Sequence, residues 1–333
     1  MKALVTGIAG FLGSHLARVL LARGWEVVGI DNLLGGYEDN VPKGARFVRG
    51  DCNDLPLVRE LAAGARVVYH CAATAYEGLS VFSPKLITEN VVGATASVLS
   101  AACSTGVQRF VHCSSMARYG DSPVPFDEGM EPRPVDPYAI GKVASEALVR
   151  SLCAVHGLEW TIAVPHNIYG PGQKYDDPYR NVAAIFANTM LLGQQPFIYG
   201  DGGQRRSFSF VDDVAEPLAR MGEEAAAISQ IVNLGPDDEF VTVLELARLV
   251  ADAVGFELRP RFVPSRPLEV RDASCSADRA RRLLGYAPKV PLRQGIGELV
   301  AWIRRRGPSP FLYHLPVEIV SDQTPATWRD RLL

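Results

Sequence analysis

None of the six cysteines in this chain is paired as Cys-x-x-Cys. That excludes the zinc knuckle and the dithiol redox motif that such spacing serves. The six histidines show no His-x-x-x-His spacing either, so no metal is expected. There is no basic run, and the formal net charge is −3; no nucleic acid is expected as a partner. No apolar run reaches the roughly 18–20 residues that a bilayer span needs. No leader is expected, because "KALVTG" (2–7) already reads as a core strand. No membrane is therefore expected, and a reducing cytoplasm suits unpaired thiols. Repeats and low-complexity tracts are also missing. What remains is an ordinary globular composition over 333 residues, 47% hydrophobic and 21% charged. That length allows one large domain or two closely joined ones.

Short apolar runs alternate with amphipathic stretches in the first half. "ALVTG" (3–7), "EVVGI" (26–30), "ARFVRG" (45–50), "RVVYHCA" (66–72), "RFVHCSS" (109–115) and "WTIAV" (160–164) read as buried strands. Helical patterns such as 13–24 and 91–106 lie between them. The alternation predicts an α/β fold: a doubly wound parallel sheet of Rossmann type, with its ligand crevice at the strands' C-terminal ends. After residue 166 the texture changes. A Gly-, Pro- and Tyr-rich loop (168–181) precedes helical patterns at 182–194, 241–255, 276–286 and 292–307. These predict a smaller, interleaved C-terminal α/β substrate-binding lobe. The expected division is 1–166 for the dinucleotide, with 211–240 returning to it, and 167–210 plus 241–333 for the substrate lobe and tail. The tail from Pro308 is too apolar to be free.

Two clusters carry chemistry. "TGIAGFLG" places Gly7, Gly10 and Gly13 between the first strand and its helix. Glycines there let the backbone approach a pyrophosphate at the helix N-terminus. Asp31 ends the second strand, where a carboxylate accepts ribose hydroxyls and repels a 2′-phosphate. NAD is therefore favoured over NADP. Asp51 ends the third strand, either at the adenine edge or as a helix cap. In "VDPYAIGK", Tyr138 and Lys142 lie one helical turn apart on one face. A nearby ammonium lowers a phenol's pKa. Ser114 and Ser115 close the fifth strand, 23 residues before Tyr138.

With "NIYGPGQ" (167–173), "YGDGGQRRSFSFVDDV" (199–214), "VNLG" (232–235) and "RPLEV" (266–270) in order, the chain resembles the extended short-chain dehydrogenase/reductases. It is most similar to their nucleotide-sugar epimerase/dehydratase branch, and closest there to the UDP-glucose (UDP-galactose) 4-epimerases. The resemblance covers nearly the whole chain. It implies Tyr138 as acid/base, Lys142 as ribose ligand and tuner of Tyr138, and Ser115 as the hydroxyl on the reacting sugar oxygen. Ser114 suits that role less. Cofactor contacts are implied at Gly7, Gly10, Phe11, Leu12, Gly13, Asp31, Asn32, Asp51, Cys52, Ala72 and Asn90. Asn167, Arg206 and Arg266 match diphosphate contacts, and Glu269 a ribose contact; Val182 joins the substrate set.

The implied reaction is oxidation at C4, rotation of the 4-keto sugar, and reduction on the other face. Met116 and Ala117 stand where the 4,6-dehydratases of the family carry an Asp-Glu pair, which argues against elimination. Pro165-His166 replaces an aromatic pair, so His166 either touches the sugar or bonds backbone at the strand end. Ala273 stands where a bulky Tyr closes the sugar pocket in some relatives, leaving room for a 2-acetamido group. Arg180 either faces a hexuronate carboxylate or is a solvated loop residue. A UDP-glucuronate 4-epimerase, a dehydratase or reductase, and a non-catalytic NAD-binding module stand as alternatives. The resemblance also implies a homodimer through helices near 91–105 and 138–153.

Overall fold

The computed structural model describes residues 1–333. Six strands lie close to the runs expected from sequence: β1 (Lys2–Thr6), β2 (Glu26–Asp31), β3 (Arg46–Arg49), β4 (Val67–His70), β5 (Arg109–Cys113) and β6 (Glu159–Pro165). A seventh, Ile231–Leu234, pairs with β6 and sets Ile231 opposite Ile162. All neighbours are parallel, in the order Ile231–Leu234, β6, β5, β4, β1, β2, β3. The chain thus winds outward from β1 in both directions. The crevice opens where the order reverses, between β1 and β4.

The period of two along each strand explains why helices cover both faces. Leu4 packs with Val58, Leu61, Val98 and Val149 on one face. Ala3 and Val5 pack with Leu16, Leu20, Val214 and Leu218 on the other. Helix α1 (Phe11–Ala22) follows β1, and α2 (Leu55–Ala62) follows β3.

Between β6 and the seventh strand the chain builds part of a second lobe. Its core joins Phe186 and Met190 to Leu246, Val250, Leu299 and Ile303. These come from the helices Val182–Leu191, Val243–Val254 and Leu292–Arg306. The middle helix opens with a cap at Thr242, in a reciprocal box with Glu245.

One expectation is corrected. The continuous helical stretch Pro84–Ser104 is long enough and apolar enough, by length and composition, to cross a membrane. Its Ala, Ser and Thr content hid the run. Here Val98, Leu99 and Ala102 pack in the core beside α2.

Of the four buried histidines, His70, His112 and His166 are almost wholly cut off from solvent. Burial lowers His70 and His166 to about 3, and His112 well below its ordinary value. The native state holds them neutral, while the unfolded chain protonates near 6.5. The unfolded state therefore binds more protons below that pH. Stability is expected to be full above about 6.5 and to fall as pH drops toward 3, by roughly 1.4 kcal/mol per pH unit per histidine. Urea unfolding at pH 7 and pH 5 checks this; equal midpoints would contradict it.

Candidate active site

A cleft of about 410 Å³ runs along the sheet's C-terminal edge into the second lobe. At its first end, Gly7 has φ +73°, and a Cβ there would stand 2.9 Å from the Ala72 backbone. A Cβ on Gly13 would stand 2.1 Å from the Gly7 carbonyl oxygen. The turn is therefore closed to side chains, and Gly10, Phe11, Leu12 and Gly13 line the cleft. No side chain caps α1. Its first-turn N–H groups are thus available to a pyrophosphate, as a dinucleotide requires.

Asp31 Oδ2 accepts from the N–H groups of Ala9 (3.0 Å) and Gly10 (3.1 Å), and Oδ1 from Leu33 (2.7 Å). Burial pushes this carboxyl up, against those three donors. Asn32 donates to Asp51 at 3.2 Å. The alternative for Asp51 is decided: Asp54, not Asp51, caps α2. Asp51 instead braces its own turn through Asn53 and lines the cleft with Cys52 and Ala72. Asn90 enters the cleft from a π-helical turn, Glu89–Gly93. Such wide turns gather at functional sites.

At the middle of the cleft, the helix Pro137–His156 starts at a cap made by Asp136, which accepts from Ala139 N–H. That start fixes Tyr138, Lys142 and Glu146 on one buried face. Lys142 Nζ donates to the Cys113 carbonyl at 2.7 Å and stands 5.7 Å from the Tyr138 ring centre. Burial lowers its pKa to about 8. The Tyr138 phenol is raised: burial dominates, Glu77 adds to it, and a hydrogen bond with Ser115 opposes. Burial and Glu77 set the direction of this shift in the protein alone, and Lys142 is not among its leading causes.

The two serines separate cleanly. Ser114 Oγ donates to Glu146, which also holds Arg118 through both oxygens at 2.9 and 3.0 Å. Ser115 Oγ accepts from Ala117 N–H at 3.2 Å, which leaves its proton to donate into the cleft. Met116 follows it on the wall.

At the far end, Asn167, Val182, Arg206, Arg266 and Glu269 line the cleft. Asn167 (φ +30°) donates to the Ser207 carbonyl. Arg206 is held by the carbonyls of Arg205 and Arg271. Arg266 pairs with Glu269 at 2.7 Å and lies over the Tyr199 ring. Arg180 is not a solvated loop residue: it stacks on Tyr76, donates to the Gly35 carbonyl at 2.7 Å and faces the cleft. Ala273 opens onto a smaller adjoining cavity of about 60 Å³, whose wall shares Arg206, Arg266 and Glu269 with the main cleft.

His166 is a correction. Pro165 and Asn167 line the cleft, while His166, just past the end of β6, does not. It is fully buried and absent from the cleft wall. Gly235 packs against its ring, since a Cβ there would stand 2.7 Å from Nδ1.

Sequence reasoning passed over Glu77, Tyr199, Thr327 and Trp328, all in the wall. Glu77 begins a one-turn helix, Glu77–Ser80. Glu77 is itself exposed along the open cleft; the crowding of the cleft walls around it and the nearby Asp136 push its carboxyl up, against Arg206 and Arg266. An acidic residue inside the apolar run "TAYEGLSVF" was the available signal.

Residues 3–235 match the NAD dependent epimerase/dehydratase family. The chain belongs to this family. A UDP-glucose 4-epimerase of Mycolicibacterium smegmatis is 38% identical over 317 residues, spanning 92% of this chain and 99% of the relative. Two solved structures share this epimerase architecture. The UDP-glucose 4-epimerase of Thermus thermophilus in complex with NAD has TM-score 0.84 and 36% identity, over 91% of this chain and 99% of that one. The Thermotoga maritima UDP-glucose 4-epimerase with UDP-glucose has TM-score 0.86 and 30% identity, over 92% and 99%.

Proposed function

We propose that this family member is a UDP-hexose 4-epimerase that holds NAD as a resident cofactor. One observation carries the reading. Ser115, Tyr138 and Lys142 stand in the wall of one continuous cleft, with the uncapped glycine turn at one end and Arg206 and Arg266 at the other. The glycine turn, Asp31, Asn90 and Lys142 would hold the dinucleotide. Bound there, it would supply a hydride acceptor for the sugar carbon.

Arg206 and Arg266 anchor the diphosphate, for which a guanidinium fork is suited. Ser115 donates to the C4 oxygen and orients it. Tyr138 takes the C4 hydroxyl proton and returns it after the 4-keto sugar has turned over. Met116 and Ala117 carry no proton-transfer group, so the sugar is not driven to elimination.

The side cavity under Ala273 supports acceptance of 2-acetamido sugars. Arg180, enclosed beside the cleft, supports a second reading as a UDP-glucuronate 4-epimerase. Residues 1–166 and 211–240 bind NAD in this reading, and 167–210 with 241–333 bind the nucleotide sugar. The protein works in the cytoplasm as a homodimer. Ile140 and Val155, 53% and 75% exposed on the Tyr138 helix, support a packing face there; sedentation equilibrium of the purified protein would report a monomer if that face stays free.

The test is incubation of the NAD-containing protein with UDP-glucose, UDP-GlcNAc and UDP-glucuronate, followed by proton NMR. A C4 epimer is expected from at least one sugar. Accumulation of 4-keto product or net NADH would overturn the reading.

Glu77 gives a pH signature. Its carboxylate raises the Tyr138 phenol, so Glu77→Gln is expected to lower that pKa. The acid limb of the kcat/KM profile should then move to lower pH. An unmoved limb would mean that the two groups do not communicate.

A further inference from the structure

Relatives covered over 99–100% of their own length match only 92% of this chain. The segment after Gly307 follows the last long helix of the second lobe, Leu292–Arg306. That segment is no loose tail. It crosses the cleft mouth as a strap fixed to both lobes. On the second lobe, Ser309 N–H donates to Asn188 Oδ1 at 3.1 Å and Leu312 N–H to the Asp176 carbonyl at 2.7 Å. On the sheet lobe, Ser83 Oγ donates to the Pro316 carbonyl at 2.6 Å, and Ile319 N–H to the Phe82 carbonyl at 2.8 Å. Glu318 accepts from the N–H groups of Lys85 and Leu86 at 2.9 Å each.

The strap then turns inward. Trp328 is 4% exposed, edge-on to Tyr179 (5.3 Å) and Phe82 (6.1 Å). A Cβ on Gly78 would stand 3.1 Å from Trp328 Cη2 and 3.2 Å from Arg266 Nη1, so the indole and this guanidinium meet over one glycine. Thr327 is hydrogen-bonded to Tyr199, the ring beneath Arg266. Thr327, Trp328 and Leu333 all line the main cleft.

We propose that residues 308–333 form the outer wall of the nucleotide-sugar subsite, with Trp328 and Thr327 holding the nucleoside diphosphate against Arg266 and Tyr199. The inference rests on reading the Arg206–Arg266 end as that subsite. Its chemistry is consistent: a cation for phosphate, flat aromatic rings for a base, and Gln204 and Glu269 for polar edges. Bonded on both sides, the strap holds Thr327 and Trp328 in place in the cleft wall beside Arg266.

The test uses the full NAD-loaded protein, Trp328→Ala, and a chain ending at Gly307. Calorimetric titration with UDP reads affinity; bound NAD released on denaturation reads the other half of the cleft. Trp328→Ala is expected to weaken UDP by about tenfold or more and to keep its NAD. UDP should also slow proteolysis within 308–333. Where the shortened chain fails to fold, Trp328→Ala and Thr327→Val decide. UDP affinity within twofold of the unaltered protein in these variants overturns the strap proposal alone. Failure of the unaltered protein to bind UDP, dTDP or GDP overturns the functional reading and the strap proposal with it.

Discussion

Tyr138→Phe is expected to lower epimerisation by about 10²–10⁴-fold, the usual worth of a positioned acid/base group. The change removes one oxygen and keeps the ring. That ring packs with Tyr76, Leu79, Val91 and Tyr179, so folding and helix position are preserved. Bound NAD and UDP affinity should stay as they are, because neither end of the cleft loses a group. NMR of the anomeric protons under single-turnover conditions reads the loss directly. Turnover within threefold of the unaltered enzyme would show that another group moves the C4 proton. Ser115→Ala should cost less, since that hydroxyl orients the sugar and is not the terminal base.

The second large effect concerns stability. Glu146 is fully enclosed, and its partner Arg118 is 2% exposed. Glu146→Ala leaves the Arg118 charge in the core without its counter-charge and strips Ser114 of its acceptor. The expected cost is about 3–5 kcal/mol, read as a shift of the urea midpoint. Replacing both partners, as Arg118→Met with Glu146→Leu, should cost clearly less, because no charge is then stranded. Equal losses would mean that shape, not charge, sets the penalty. Because Glu146 lies two turns beyond Tyr138 on the same helix face, the single variant should also loosen the end of β5 that presents Ser115.

The central sheet was legible because its strands are buried on both faces and so read as unbroken apolar runs. "IVNLG" is as apolar, yet its membership of the sheet depends on pairing with β6 across about seventy residues of intervening chain, which no local pattern encodes. The glycine turn and the Tyr138–Lys142 spacing were legible because each is local. His166 was misplaced for a related reason: its burial against Gly235, just past the end of β6, is set by tertiary packing that "VPHN" does not encode. Arg180 looked like a loop charge, since its partners Tyr76, Gly35 and Asp177 are set by tertiary packing. The order of Tyr138's perturbations was also hidden. Proximity of Lys142 was readable, but the degree of burial and the carboxylate of Glu77 were not.

The π turn at Glu89–Gly93 has a practical consequence for engineering. A turn of this kind holds one residue more than a regular helical turn. Deleting a single residue within it would let the helix close into uniform winding while Val98, Leu99 and Ala102 keep their seats against the sheet. Asn90 would swing by about a quarter of a revolution, out of the wall it now occupies. One codon removed there would take a polar contact out of the cleft and, because Val91 of the same turn packs beside the Tyr138 ring, would shift the seat of the phenol as well.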